Sequence, residues 1–142
     1  MKNKVLKCLI TAVVIILSNA AVLSGAQAAV QPIATDSRIR TLVYTESEVF
    51  RIVVHYGYQT SIEFAEGEEA QTISVGTNYA WQPSPLGRRL FIRPLEEGVK
   101  TNMTVITNRR TYQFEIESKT HTAISDEELV YVVRFFYPDE EV

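Results

Sequence analysis

Short stretches of this chain alternate apolar and polar residues with a period of two, the spacing of strands with one face covered and the other wet. Residues 111–117 show it most cleanly, with Tyr112, Phe114 and Ile116 on one side and Thr111, Gln113, Glu115 and Glu117 on the other. Ile62 and Phe64 alternate with Ser61 and Glu63, and Ile73 and Val75 with Thr72 and Ser74. Residues 49–56 are apolar at nearly every position: Phe50, Ile52, Val54 and Tyr56 point one way, Val49, Arg51, Val53 and His55 the other. Such a run predicts a strand covered on much of both faces and central in its sheet. Further strands are predicted at 39–45, 88–94, 103–107 and 129–137.

Turn signals separate these stretches. Ala65-Glu66-Gly67-Glu68-Glu69 is an acidic turn, Gly76-Thr77-Asn78 and Pro83-Ser84-Pro85-Leu86-Gly87 are turns, and Asn108-Arg109-Arg110 is a short hairpin loop. Residues 118–128 read as a polar loop. About eight or nine closely spaced strands, with no amphipathic helix and no fixed-period repeat after the opening segment, predict an all-β fold. The architecture is then an antiparallel sandwich or barrel.

The opening segment changes the picture. Lys2, Lys4 and Lys7 form a positive start, residues 8–23 are apolar but for Thr11, Ser18 and Asn19, and Ala26-Gln27-Ala28 ends the segment with small residues. This predicts a secretory signal peptide over residues 1–28, cut after Ala28, and a mature β domain over 29–142 in the periplasm. The competing reading is an uncleaved anchor helix; the short apolar run and the small-residue exit weigh against it. Cys8 opens the apolar run, whereas a lipid-modified cysteine would close it. Cleavage removes Cys8, the single cysteine, so the mature fold must rest on a hydrophobic core without disulfides. Cleavage also takes the formal charge from −3 to −6, with 11 basic against 17 acidic side chains remaining. A net acidic domain without a basic run is a poor binder of nucleic acid, so no direct nucleic-acid binding is expected.

Residues able to do chemistry are sparse. His55 and His121 have no second ligand at metal-binding spacing, so His55 reads as a structural histidine in a strand and His121 as a solvated loop residue. Glu63, Glu66, Glu68 and Glu69 cluster around one turn, where charge keeps a loop wet and blunts edge pairing. No nucleophile elbow, phosphate loop or metalloprotease motif occurs. No enzyme, cofactor or metal is predicted. Tyr56, Tyr58, Tyr79, Trp81 and Phe91 read as core and rim residues. The last strand, 129–137, is treated as an edge with one charge, Arg134, and two apolar faces of which one must be core. An uncovered aromatic stripe would recruit a partner, which makes Tyr131, Phe135 and Tyr137 the candidate protein interface.

Many ordered positions resemble the first domain of the VirB9/TrbG/CagX family. They include Asp36-Ser37-Arg38-Ile39-Arg40, the run His55-Tyr56-Gly57-Tyr58-Gln59-Thr60-Ser61-Ile62-Glu63-Phe64, and Glu66-Gly67-Glu68. Thr72-Ile73-Ser74-Val75-Gly76, Trp81, Leu90-Phe91-Ile92-Arg93-Pro94, Thr101-Asn102-Met103-Thr104-Val105 and Arg110-Thr111-Tyr112 follow. The resemblance implies an antiparallel β-sandwich in the periplasmic inner ring of a type IV secretion core complex. It also implies partners: other VirB9-like copies and a VirB10-like scaffold subunit. Members continue past the stretch like Val133 to Asp139 into a second β domain that holds a VirB7-like lipoprotein, and this chain stops at Val142. Lipoprotein binding is therefore not expected. Two readings of function remain: a non-enzymatic structural subunit of the ring supporting export of protein or DNA, or a periplasmic adaptor that regulates assembly of full-length VirB9-like subunits.

Overall fold

The computed structural model describes residue 3, residues 35–120 and residues 128–140. Cleavage at Ala28 and the loop residue His121 lie outside the described residues. Contacts group Thr35–Val142 into one unit, separate from Met1–Ala34.

The alternating stretches form nine strands among the described residues: β1 (Ile39–Val43), β2 (Val49–His55), β3 (Thr60–Glu63), β4 (Ala70–Val75), β5 (Trp81–Leu86), β6 (Arg89–Pro94), β7 (Lys100–Thr107), β8 (Thr111–Lys119) and β9 (Val132–Phe136). Single 3-10 turns occur at Asn78–Ala80 and Pro138–Glu140. The strands make a five-stranded sheet, in the order β1-β9-β3-β6-β5, and a four-stranded sheet, β2-β8-β7-β4. The two sheets sandwich one core. Phe50, Ile52, Val54, Met103, Val105, Phe114 and Ile116 enter it from the smaller sheet, and Ile62, Leu90, Ile92 and Val133 from the larger.

The all-β sandwich is as expected, but its pairing is mixed, not purely antiparallel. β1 and β3 both run parallel to β9, and β2 runs parallel to β8. The reason is the path of the chain, which crosses between the sheets at most connections. Only β5–β6 and β7–β8 are consecutive strands that pair with each other, and these are antiparallel hairpins. Elsewhere a strand meets a partner far away in sequence, so no tight turn dictates its direction.

Three local expectations change with the topology. β2 is an edge and not central, since β8 is its only neighbour among the described residues. Its outward Val53 is half-buried in a crevice shared with Arg40, Leu42 and Val130, so its apolar run seals the side of the sandwich. β9 is not an edge; it lies between β1 and β3. Residues 81–86 form a strand where the two prolines predicted a turn. β5 is an edge, and Pro83 and Pro85, two apart, place their missing N–H groups on the same side of the ladder. The turn into β6 is made by Gly87 and Arg88, with Gly87 at φ 54.

Candidate functional site

The acidic turn after β3 holds the most buried charge among the described residues. Gly67 takes φ 73, which turns the chain back so that the Glu68 N–H reaches the Ala65 carbonyl at 3.1 Å. Asn108, in the β7–β8 loop, locks the turn from outside: its Oδ1 accepts from Glu69 N–H at 2.9 Å and its Nδ2 donates to the Gly67 carbonyl at 3.0 Å. The result drives the Glu68 side chain inward, where it is fully buried. The reading of all four carboxylates as solvated is therefore corrected. Glu66 and Glu69 are exposed, but Glu68 and Glu63 are not.

A carboxylate leaves water only if its oxygens find donors. Glu68 finds four. Arg110 Nη1 reaches Oε2 at 2.6 Å and Ala65 N–H reaches it at 3.3 Å. Thr107 Oγ1 donates to Oε1 at 2.6 Å and Tyr112 Oη at 3.0 Å. With its proton on Glu68, Tyr112 accepts from Tyr137 Oη at 2.8 Å. Arg110 stacks over the Tyr137 ring at 4.1 Å and the Tyr44 ring at 5.4 Å, and its Nη2 reaches Glu140 at 2.5 Å. One cluster thus clamps the β3–β4 turn, the β7–β8 loop and the last described turn, Pro138–Glu140, together.

Its electrostatics favour a fixed structure over chemistry. Burial pushes the Tyr112 phenol far up, with the neighbouring Tyr137 adding to the shift, so it stays neutral. Burial also pushes Tyr137 up, to about 12, against the Tyr112 hydrogen bond. Burial disfavours the Arg110 charge, but the hydrogen bond to Glu140 and the attraction of Glu68 outweigh it and hold its pKa above the ordinary value. Every strong acceptor and donor is engaged inside the cluster, which leaves no activated nucleophile or poised base. Among the described residues no three His, Cys, Asp or Glu side chains stand close enough to hold a metal ion.

The raised phenols carry a pH dependence. An unfolded tyrosine releases its proton near 10. A folded Tyr137 holds its own to about 12. Stability is thus fully present below about pH 10 and lost as pH rises toward 12, because the unfolded chain sheds protons the folded one keeps. Denaturant melts between pH 8 and 12 should show that loss, and Tyr112→Phe with Tyr137→Phe should make it shallower. Equal slopes for both proteins would place the alkaline weakness elsewhere.

Beside the cluster lies an open groove of about 700 Å³, lined by Tyr44, Glu46, Ile106, Arg109, Thr111 and Asp139. Its lining mixes charges of both signs and converges on no single group.

The three candidate interface residues do not form one stripe. Tyr137 is 9 % exposed and belongs to the clamp. Phe135 is half-buried and meets Phe50 edge-on, ring centres 4.8 Å apart. Tyr131 alone is exposed, stacked on Tyr58 at 6.4 Å with Arg38 over its ring at 5.0 Å. The β9 face carrying Val133, Phe135 and Tyr137 is core, and Arg134 and Phe136 point outward. A glutamate at Tyr137 would bury a charge in the clamp and report unfolding before any contact. His55, read as a structural histidine in a strand, is buried in β2, and Trp81 is core. The role of Arg110 was not legible; only its distance from Glu68 in the sequence, 42 residues, hid an ordinary ion pair.

The described residues thus make a cross-sheet β-sandwich tied by a buried ion cluster, and among them no helix is long and apolar enough to cross a membrane. The family described as CagX, conjugal transfer protein, matches residues 37–142, and the chain belongs to that family. It is 30% identical to the type IV secretion system protein virB9 of Bartonella henselae, across 97% of this chain and 50% of that protein. It is 32% identical to virB9 of Bartonella quintana, over 75% of this chain and 38% of that protein. The type IV secretion system protein PtlF of Bordetella pertussis is 31% identical, over 72% of this chain and 44% of its own length. The chain therefore spans half, or less, of the length of these relatives.

Proposed function

We propose that the chain is a non-enzymatic structural subunit of a type IV secretion core complex, placed in the periplasmic inner ring beside VirB9-like copies and a VirB10-like scaffold, supporting export of protein or DNA. The observation that carries this is the family match, which begins at residue 37 and takes in the sandwich from β1 onward. The geometry supports it: a buried, fully hydrogen-bonded ion clamp and a continuous hydrophobic core suit a part whose task is to keep its shape. On this reading the signal peptide is removed after Ala28 and the mature domain acts in the periplasm.

Affinity purification of a tagged copy from envelope fractions tests this. The recovered chain should begin Ala29-Val30-Gln31 and bring VirB9-like and VirB10-like subunits in stoichiometric amounts. Recovery without them, or with an intact Met1, would sink the reading. Recovery with full-length VirB9-like subunits only, in substoichiometric amounts, would make it an assembly adaptor instead.

A further inference from the structure

The two outward faces of the sandwich differ in chemistry. On the four-stranded sheet the outward charges satisfy one another: Arg51 reaches Glu117 at 2.6 Å, Lys100 reaches Glu115 at 2.9 Å, and Thr104 donates to Gln113 at 2.7 Å. On the five-stranded sheet the register lines up Arg134, Glu63 and Arg89 across β9, β3 and β6. Glu63 faces outward yet is only 8 % exposed, because Arg134 at 2.9 Å and Arg89 at 3.3 Å close over it from both sides. Arg93 stands on the same face, hydrogen-bonded to Gln82. Two guanidiniums thus share one carboxylate and a third stands on the same face without an acidic partner among the ion pairs of the described residues, on a protein that is acidic overall.

Apolar side chains flank this charged row. Val43 and Phe136 pair in register beside it, 54 % and 39 % exposed, and Leu86, next to Arg89, is 71 % exposed. Arginine among uncovered aromatic and aliphatic side chains is the composition of an interface core, and its charge selects an acidic partner. The chain itself carries that complement. β1 and β3 finish at the same end of the sheet, and the loops that follow them expose Glu46, Glu48, Glu66 and Glu69. The basic residues at that end are partly spoken for: Arg109 and Arg110 both pair with Glu140, and Arg89 and Arg134, opposite the last residue of β3, both pair with Glu63.

We propose that the outward face of the five-stranded sheet docks on the acidic loop end of a second copy of this chain. Face and loop end are different surfaces, so the contact is head to tail and passes from copy to copy. This rests on the reading of the chain as a ring subunit and names the two surfaces that would meet.

The single native cysteine is removed in both variants by Cys8→Ser, so the introduced cysteines are the only thiols. Full-length Leu86→Cys and Glu66→Cys are expressed together and treated with a short bis-maleimide. Cross-linked dimers are expected from the mixture and from neither variant alone. Dimers from Leu86→Cys alone would mean face-to-face packing and overturn the proposal. Self-association should fall about tenfold in Arg89→Glu with Arg134→Glu and return when that variant meets Glu66→Arg with Glu69→Arg. Because Arg134→Glu can disturb Glu63, Leu86→Ser with Phe136→Ser, which leaves the ion row intact, should weaken association as well. Unchanged association in all variants overturns the surfaces but leaves the ring reading standing. A wild-type chain that joins the secretion complex without touching its own copies overturns the second copy as occupant. A wild-type chain that does neither removes the ring reading itself.

Discussion

Glu68→Ala should cost about 3–5 kcal/mol of folding stability, the range found when one partner of a buried ion pair is removed. Glu68 is fully buried and Arg110 is mostly so, so the deletion leaves the guanidinium with only the more exposed Glu140 as its anionic partner and leaves the hydroxyls of Thr107 and Tyr112 without this acceptor. The loss goes beyond one ion pair because the β3–β4 turn and the β7–β8 loop both close on this carboxylate. Glu66→Ala, two residues away on the exposed side of the same turn, should change stability by no more than about 0.5 kcal/mol. Urea melts of the two variants separate a buried anchor from a solvated acid. A double-mutant cycle adds a finer test: Arg110→Ala should cost far less in the Glu68→Ala background than in the wild type. Equal costs in both backgrounds would mean that the clamp does not act as a unit.

Phe114→Ala should destabilise the domain by about 3–5 kcal/mol, while its neighbour Gln113→Ala should change little. Phe114 is 1 % exposed at the centre of β8, the strand flanked by β2 and β7, and its ring meets Phe50 at 5.9 Å. The two sheets pack across it, so neither can collapse into the gap without breaking ladder hydrogen bonds. Gln113 faces outward and its side chain only accepts from Thr104. Similar midpoints in denaturant for the two variants would show that the alternation in β8 had been assigned to the wrong faces.

The strands themselves were legible because side-chain alternation is a local property: the solvent on one side and the core on the other impose a period of two wherever a chain is extended. That is why residues 111–117 told which of their side chains are buried, and why the hairpin around Asn108 could be placed from three turn residues. The family was legible for a similar reason, since ordered residue matches along a chain need no fold to be read. Strand neighbours were another matter. β2 looked central and is an edge; β9 looked like an edge and is paired on both sides. Apolar coverage records only that something lies over a residue, and it cannot distinguish a neighbouring strand from the closed flank of a sandwich. The prolines of β5 read as a turn because their loss of N–H donors matters only in relation to a partner strand, and that partner is known only once the sheet is assembled. Glu68 and Glu66 differ by two positions and share a composition, a turn and a charge. One is buried and one is wet because Arg110, Thr107 and Tyr112 arrive from a hairpin about forty residues away, and long-range pairing of that kind leaves no periodic trace in the chain.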